Sequence, residues 1–336
     1  MKEFQHGGDI DSFVKELKCK KEEIIDLSSN INFLKPKLNI DFNKVDISFY
    51  ANYEKLYKTV AKHYKVKKSN LELFNGASRA IFSLFDSLGL KECFIYSPAY
   101  LEYKKAAKLF GYKINLINRF ENLKKEIKKG SLVIFANPST PEGTFYKLEE
   151  LFQVWAKNEC TILIDESFLE FTKESSAIRF LKEYKKLYIL KSMTKFYSCA
   201  GVRVGTIISD KKNIKQLKEK EPKWKLSTFD MNYIIEALKD KTFVSNSLEQ
   251  NSKNKELLKS ILNNYSFIEK VYESDANFLL LKLKNIDAKT MQKHLKKYKI
   301  MIRDCSNFDF LDSTFVRVAI KDKSSILKLK KALDRI

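Results

Sequence analysis

Residues 191–205 read KSMTKFYSCAGVRVG, entered from the apolar run LYIL and left through the apolar run VGTIIS. Lys195 stands just beyond the end of the first run, with hydroxyls at Ser192 and Thr194 and a planar cationic fork at Arg203. An amine placed there among anion binders is a candidate for Schiff-base chemistry. Three segments upstream share its character. TILIDES places Asp165 at the end of an apolar strand-like run, where a buried acid needs a cationic partner or a shifted pKa. NPSTPEGT, at 137–144, follows the run SLVIFA; its two prolines and one glycine dictate a rigid turn and leave the Asn137 amide free to donate. NGASRAIF, at 75–82, opens a helix with a glycine and small residues, so that free N–H groups and the Ser78 hydroxyl can cradle a phosphate.

Strand-like runs at 93–96, 131–136, 161–165, 187–191 and 204–209 alternate with amphipathic stretches near 53–65, 77–88, 98–110, 146–157 and 227–262. Apolar strands alternating with helices predict an α/β fold with a mainly parallel sheet buried on both faces. The last hundred residues carry runs near 267–272, 277–283, 299–303 and 315–320, then a helical pattern at 323–335, and predict a smaller α+β part. The expected division is a large domain at 45–225, with 1–44 and 226–336 forming the small one. The first forty residues show little periodicity.

The 336 residues are 44% hydrophobic and 31% charged, the balance of a soluble protein of one or two domains. No apolar run reaches the length of a membrane span, and MKEFQHGGDIDSF lacks the apolar core of a signal peptide, so the expected location is cytoplasmic, with no membrane partner. Five cysteines without a CxxC and three histidines give no basis for a disulfide framework or a metal site. The net charge is +21, but seven arginines leave 56 of the 63 basic residues as lysine, spread along helical patterns. That is a solvated basic surface attracting anionic metabolites, and no nucleic-acid partner is expected. In so lysine-rich a chain an arginine beside an apolar run suggests a need for its bidentate fork; Arg203, Arg303 and Arg317 stand in such places.

Anion cradle, Asn turn, strand-end Asp, and S-x-T-K followed by G-x-R-x-G are together the parts of a pyridoxal phosphate site. The sequence resembles the fold-type I aminotransferases of class I and II over nearly its whole length. Within that superfamily it is most similar to the L-threonine O-3-phosphate decarboxylases, through HGGDI (6–10), DLSSNIN (26–32), DESFLEF (165–171), KSMTKFY (191–197), DANFLLLK (275–282), IRDCSNF (302–308) and VRVAIK (316–321). The histidinol-phosphate aminotransferases are the near relatives. The first and sixth of those segments tilt the resemblance toward the decarboxylases.

The resemblance implies roles. Lys195 is the Schiff-base lysine, Asp165 the partner of the pyridine nitrogen, Asn137 a donor to the ring 3-oxygen, and Tyr100 the stacking aromatic. Ala77, Ser78, Ser192, Thr194 and Arg203 hold the cofactor phosphate. Tyr53 reaches the phosphate of a neighbouring subunit in a homodimer. Arg317 clamps the substrate carboxylate, Asn30 and Asn277 flank the substrate, and His6 and Arg303 take its phosphate. The turn departs from the family's NPNNPTG, the YANYEKL region is about two residues short, and PKWKLSTF at 222–229 differs from the usual PW segment. The expected substrate is a small phosphorylated amino acid, threonine or serine phosphate. The expected reaction is decarboxylation, with transamination of the histidinol-phosphate type as the alternative.

Overall fold

The computed structural model describes residues 6–336. After a two-residue strand β1 (Ile25–Asp26) come the seven strands of a central sheet: β2 (Leu71–Asn75), β3 (Glu92–Ser97), β4 (Lys113–Asn118), β5 (Leu132–Ala136), β6 (Thr161–Asp165), β7 (Leu187–Ser192) and β8 (Val204–Ser209). Their spatial order is β2-β8-β7-β6-β5-β3-β4. Strands β3 to β7 are mutually parallel, while β8 runs antiparallel to both β7 and β2. Helix α1 (Ile10–Leu17) precedes them and packs on the C-terminal part, with Glu16 paired to Lys296; the helices accompanying this sheet are α2 (Glu54–His63), α3 (Gly76–Leu88), α4 (Leu101–Leu109), α5 (Glu149–Lys157), the single turn α6 (Met193–Phe196) and α7 (Lys211–Glu219). Successive residues of β5 serve opposite apolar layers: Val133 and Phe135 pack with Trp155 on one face, Leu132 and Ile134 with Phe85 and Tyr103 on the other. A strand flanked on both sides has no polar face, which is why these runs read as unbroken apolar blocks.

The chain continues through α8 (Thr228–Ala237), α9 (Phe243–Leu262), β9 (Ile268–Val271), β10 (Phe278–Leu283), α10 (Ala288–Lys296), β11 (Ile300–Met301), β12 (Arg303–Asp304), β13 (Phe315–Ala319) and α11 (Lys323–Leu333). An antiparallel sheet β12-β13-β10-β9 forms here, and β1 returns from the N-terminal part to pair in parallel with β11. The fold is that of a fold-type I enzyme, an α/β sheet with a smaller α+β part.

Local chemistry moves several expected boundaries. The single helix expected over 227–262 is two, because the Asp240 carboxylate accepts from the N–H groups of Thr242 and Phe243 and restarts the chain there. The run at 299–303 breaks at Ile302, whose N–H donates to Gln292 Oε1 rather than to a strand. Strands β2 and β4 were not expected: β2 buries Glu72 among its apolar residues, and β4 is a partly exposed edge with mixed polarity. The N-terminal forty residues contain α1, and lysine-rich α7 and α10 lie between the apolar runs.

Strands β7, β6, β5 and β3 are spatial neighbours, and their C-terminal ends lead into Ser192, Asp165, Asn137 and Tyr100 respectively. Open α/β sheets bind ligands at such ends.

Candidate active site

A cavity of about 250 Å³ opens at these strand ends and is closed from the other side by the N-terminal segment and the β12–β13 hairpin. Twelve of the fifteen expected site residues line it: Lys195, Asp165, Tyr100, Ala77, Ser78, Ser192, Thr194, Arg203, His6, Asn30, Arg303 and Arg317.

Two lysines of the 191–205 stretch are separated by the structure. Lys191 turns to the opposite face of β7, where its Nζ lies 2.5 Å from Glu166 Oε2 and both side chains are almost fully buried. That carboxylate also accepts from Ser176 Oγ and the Ala177 N–H, each at 2.6 Å. Lys195 instead enters the cavity and donates to Ser192 Oγ at 3.4 Å. Removal from water is the main cause holding its amine below the usual lysine range; Asp165 opposes this, and Arg203 and Arg317 add to the lowering. A lysine so depressed spends more of its time as the neutral, nucleophilic amine.

The cradle is built by close backbone approach. Gly76, at φ +78°, begins α3, and a Cβ there would lie 2.4 Å from Arg203 Nη2. A Cβ on Gly205 would lie 2.5 Å from the Ala77 nitrogen. Both glycines are therefore required for the Arg203 guanidinium and the first turn of α3 to share one spot. Ser78 Oγ, in that first turn, is 3.1 Å from the Tyr100 hydroxyl. The result is a tetrahedral-anion site of helix N–H groups, hydroxyl and guanidinium.

Asp165 ends β6 with its Oδ1 accepting the Ser167 N–H at 2.8 Å and its Oδ2 accepting the Tyr103 hydroxyl. Arg303 and Arg317 are cross-strand partners in the β12–β13 register and project into the same cavity. Arg317 donates to Thr140 Oγ1 at 3.1 Å and to the Ser28 carbonyl at 3.2 Å, while its Nε has no partner. Burial is the main cause pushing its pKa down to about 10, and Arg303 contributes in the same direction. Arg303 donates to the Asp304 carbonyl and to Asn307 Oδ1. His6 Nε2 lies 2.9 Å from Glu102 Oε1, and its ring centroid is 5.4 Å from that of Tyr100.

Three expected residues lie elsewhere. Asn137 is not free: its Nδ2 donates to the Tyr146 carbonyl and its Oδ1 accepts the Tyr146 N–H, which ties the amide into its own turn with one hydrogen left over. Asn277 lies behind the cavity wall and donates to the Asn30 carbonyl at 3.0 Å, so it holds Asn30 in place. Tyr53 points into its own core, its hydroxyl donating to the Leu226 carbonyl and accepting the Leu226 N–H. Within the chain both of its hydrogen bonds go to Leu226, and it does not line the cavity. Conversely, Tyr103, Ser28, Thr140, Phe168 and Phe308 line the cavity without having been anticipated. Tyr103 had a readable signal, three residues after Tyr100 and so one helical turn on; the others depend on tertiary contacts.

Pyridoxal phosphate fits these residues. The cradle takes a phosphate, Asp165 offers a carboxylate to a ring nitrogen, Lys195 offers an amine to the carbonyl carbon, and Asn30 and Arg317, which line the same cavity, each hold a buried polar atom without a partner, Oδ1 and Nε respectively. Among the described residues no cluster of metal-ligating side chains exists, and no helix is long and apolar enough to cross a membrane.

Comparison with known proteins agrees. Residues 22–336 match the model of the family described as aminotransferase class I and II. A Caldanaerobacter subterraneus protein assigned as a threonine-phosphate decarboxylase is 30% identical over 99% of this chain and 94% of its own length. The threonine-phosphate decarboxylase of Salmonella typhimurium is 25% identical over 98% of this chain and 96% of its own. The crystal structure of the histidinol-phosphate aminotransferase from Clostridium acetobutylicum superposes with a TM-score of 0.84 at 32% identity, covering 92% of this chain and 98% of that one. With cradle, acid and lysine in their places, this chain belongs to the class I and II aminotransferase family of pyridoxal phosphate enzymes.

Proposed function

We propose that this enzyme decarboxylates an O-phospho-L-amino acid, threonine phosphate to (R)-1-aminopropan-2-ol phosphate or serine phosphate to ethanolamine phosphate. The observation that carries this reading is the arginine pair at facing positions of β12 and β13. Arg203 lies at the cradle, and Arg303 and Arg317 line the same cavity, where they would take two further anionic groups, a carboxylate and a phosphate on one small molecule. Histidinol phosphate carries the phosphate and no carboxylate, and transamination would bring a carboxylate only with its second substrate, glutamate. The named decarboxylases at 30% and 25% identity support the same reading.

Pyridoxal phosphate, when bound, holds the substrate's amino group and draws off the electron pair of whichever Cα bond breaks. The protein decides which. Arg317 takes the α-carboxylate, and Arg303 with His6 takes the phosphate. These two anchors would fix how the Cα substituents are presented and so which Cα bond breaks. As the Cα–carboxylate bond breaks and CO₂ departs, Lys195 delivers the proton that replaces it. One methyl separates the two substrates, a difference of about 1–3 kcal/mol in a pocket.

The test is a single-substrate assay without any keto acid. CO₂ and amine phosphate formed in equal amounts over many turnovers are expected from O-phospho-L-threonine or O-phospho-L-serine. A second reading, transamination, is favoured by the 32% identity to a solved histidinol-phosphate aminotransferase. No CO₂, but glutamate from histidinol phosphate and 2-oxoglutarate, would replace the first reading with the second.

We also propose a homodimer. Ile47, Phe49 and Tyr50 are exposed by 65%, 77% and 76%, and Tyr50 stacks on the half-exposed Trp224 with centroids 4.1 Å apart. So much apolar area in one patch calls for cover. The expected solution mass is twice that of the chain, falling toward one chain in Phe49→Asp; a monomeric parent protein would end this proposal.

A further inference from the structure

Tyr103 is among the largest fully buried side chains of the protein, in the first turn of α4. Its ring meets Tyr100 edge-on, at 5.8 Å and 87°. Its hydroxyl donates to Asp165 Oδ2. The residues either side of it pin the same helix to the two segments that close the cavity: Glu102 to His6 at 2.9 Å, and Lys104 to Asp309 at 2.7 Å, just beyond the cavity-lining Phe308. Helix α4 is thus held on both flanks of Tyr103.

We infer that Tyr103 is a positioning residue of the reaction, acting through Asp165: its hydroxyl, donated to Oδ2, aims the carboxylate at the cofactor's ring nitrogen. Asp165 Oδ1 is fixed by the Ser167 N–H, so the orientation of the carboxylate plane is completed by what holds Oδ2. Each oxygen has a second lone pair, which leaves room for the ring nitrogen as a further donor. Hydrogen bonds donated to a carboxylate favour its ionised form. Where a carboxylate and a ring nitrogen share one proton, donors to the carboxylate keep the proton on the nitrogen, and a protonated ring is the better electron acceptor. The phenol is suited to this task, because burial above all, and then Asp165 itself, hold its pKa well above the ordinary value and it stays a donor.

The inference rests on the cofactor and not on which reaction follows, so its test is read without substrate. Wild-type protein and Tyr103→Phe, which deletes only the oxygen, are loaded with pyridoxal phosphate labelled with ¹⁵N in the ring. In Tyr103→Phe the ring-nitrogen resonance is expected to move toward that of unprotonated pyridine with the cofactor still bound, and kcat to fall roughly 10- to 100-fold with a much smaller change in KM. Replacing only Tyr103 by 3-fluorotyrosine, a stronger donor in the same shape, is expected to leave the resonance at the protonated position or move it further that way. This second protein keeps the test available should Tyr103→Phe not fold. A resonance at the wild-type position in Tyr103→Phe, or one moved toward unprotonated pyridine by 3-fluorotyrosine, would overturn the role while leaving decarboxylation standing. Wild-type protein that does not bind the labelled cofactor would instead strike at the cofactor assignment.

Discussion

Lys195→Ala is expected to yield folded protein that lacks the absorbance of lysine-bound pyridoxal phosphate and turns over at least about 10³-fold more slowly. The size follows from two tasks lost together, holding the cofactor's carbonyl carbon and moving a proton at Cα, the second alone being worth roughly 10²–10⁴-fold. Folding survives, because Lys195 Nζ makes only a long 3.4 Å bond to Ser192 Oγ and its desolvated charge is a cost to the fold that alanine removes. Lys191 supplies the contrast from four residues away. Lys191→Met would leave Glu166 buried beside hydrogen-bond donors but without its cation, and breaking such a pair typically costs about 3–5 kcal/mol. A lower melting temperature with the cofactor absorbance retained is expected there. If Lys195→Ala kept full activity, or if the two substitutions exchanged phenotypes, the assignment of the lysines would fall.

The same stretch shows how much could be read before the fold was known. Ser192, Thr194, Lys195 and Arg203 lie within a dozen residues, and Asp165 closes a run whose five residues are all buried. Strand ends of a doubly covered sheet are legible because burial removes polar residues from the strand and leaves the first polar one at its tip. The roles of residues such as Asn30, Arg303 and Arg317 came from resemblance, since nothing local brings residue 30 to a sheet edge near residue 317; the β1–β11 pairing and the Arg317 bond to the Ser28 carbonyl do that. Tyr53 and Asn137 show the opposite limit. Each is a polar side chain at a promising place that is tied to its own chain, Tyr53 at Leu226 and Asn137, with one amide hydrogen left over, at Tyr146. Whether an amide or a hydroxyl is spent locally is decided by backbone groups that become neighbours only on folding. The buried Glu72 hid β2 for a related reason: a charge inside a strand reads as a surface until its partners, the Tyr57 hydroxyl and the Lys225 ammonium, are seen.

Arg317 should separate stability from function in the opposite sense to Lys191. It forms no ion pair among the described residues; its bonds run to Thr140 Oγ1 and the Ser28 carbonyl, and Arg303 faces it across the sheet. Its charge is thus a burden on the empty fold, consistent with a pKa pushed down to about 10 mainly by burial. Arg317→Met keeps an unbranched side chain over the Phe278 ring and orphans no carboxylate, so the apoprotein is expected to melt at or above the wild-type temperature. Catalysis should move the other way. Arg317→Lys replaces a planar fork by a point charge and forfeits one charge-assisted hydrogen bond to the carboxylate, about 1.5–3 kcal/mol, or roughly 10- to 150-fold in kcat/KM. Arg317→Met forfeits both bonds and the charge, and is expected to lose about 10³-fold or more, with the cofactor still bound because the cradle is formed by α3 and Arg203. An unchanged kcat/KM in Arg317→Lys would remove this arginine from the substrate. A sharp drop in melting temperature in Arg317→Met would show that its charge serves the fold instead, and the assignment of its guanidinium to the substrate carboxylate would fail with it.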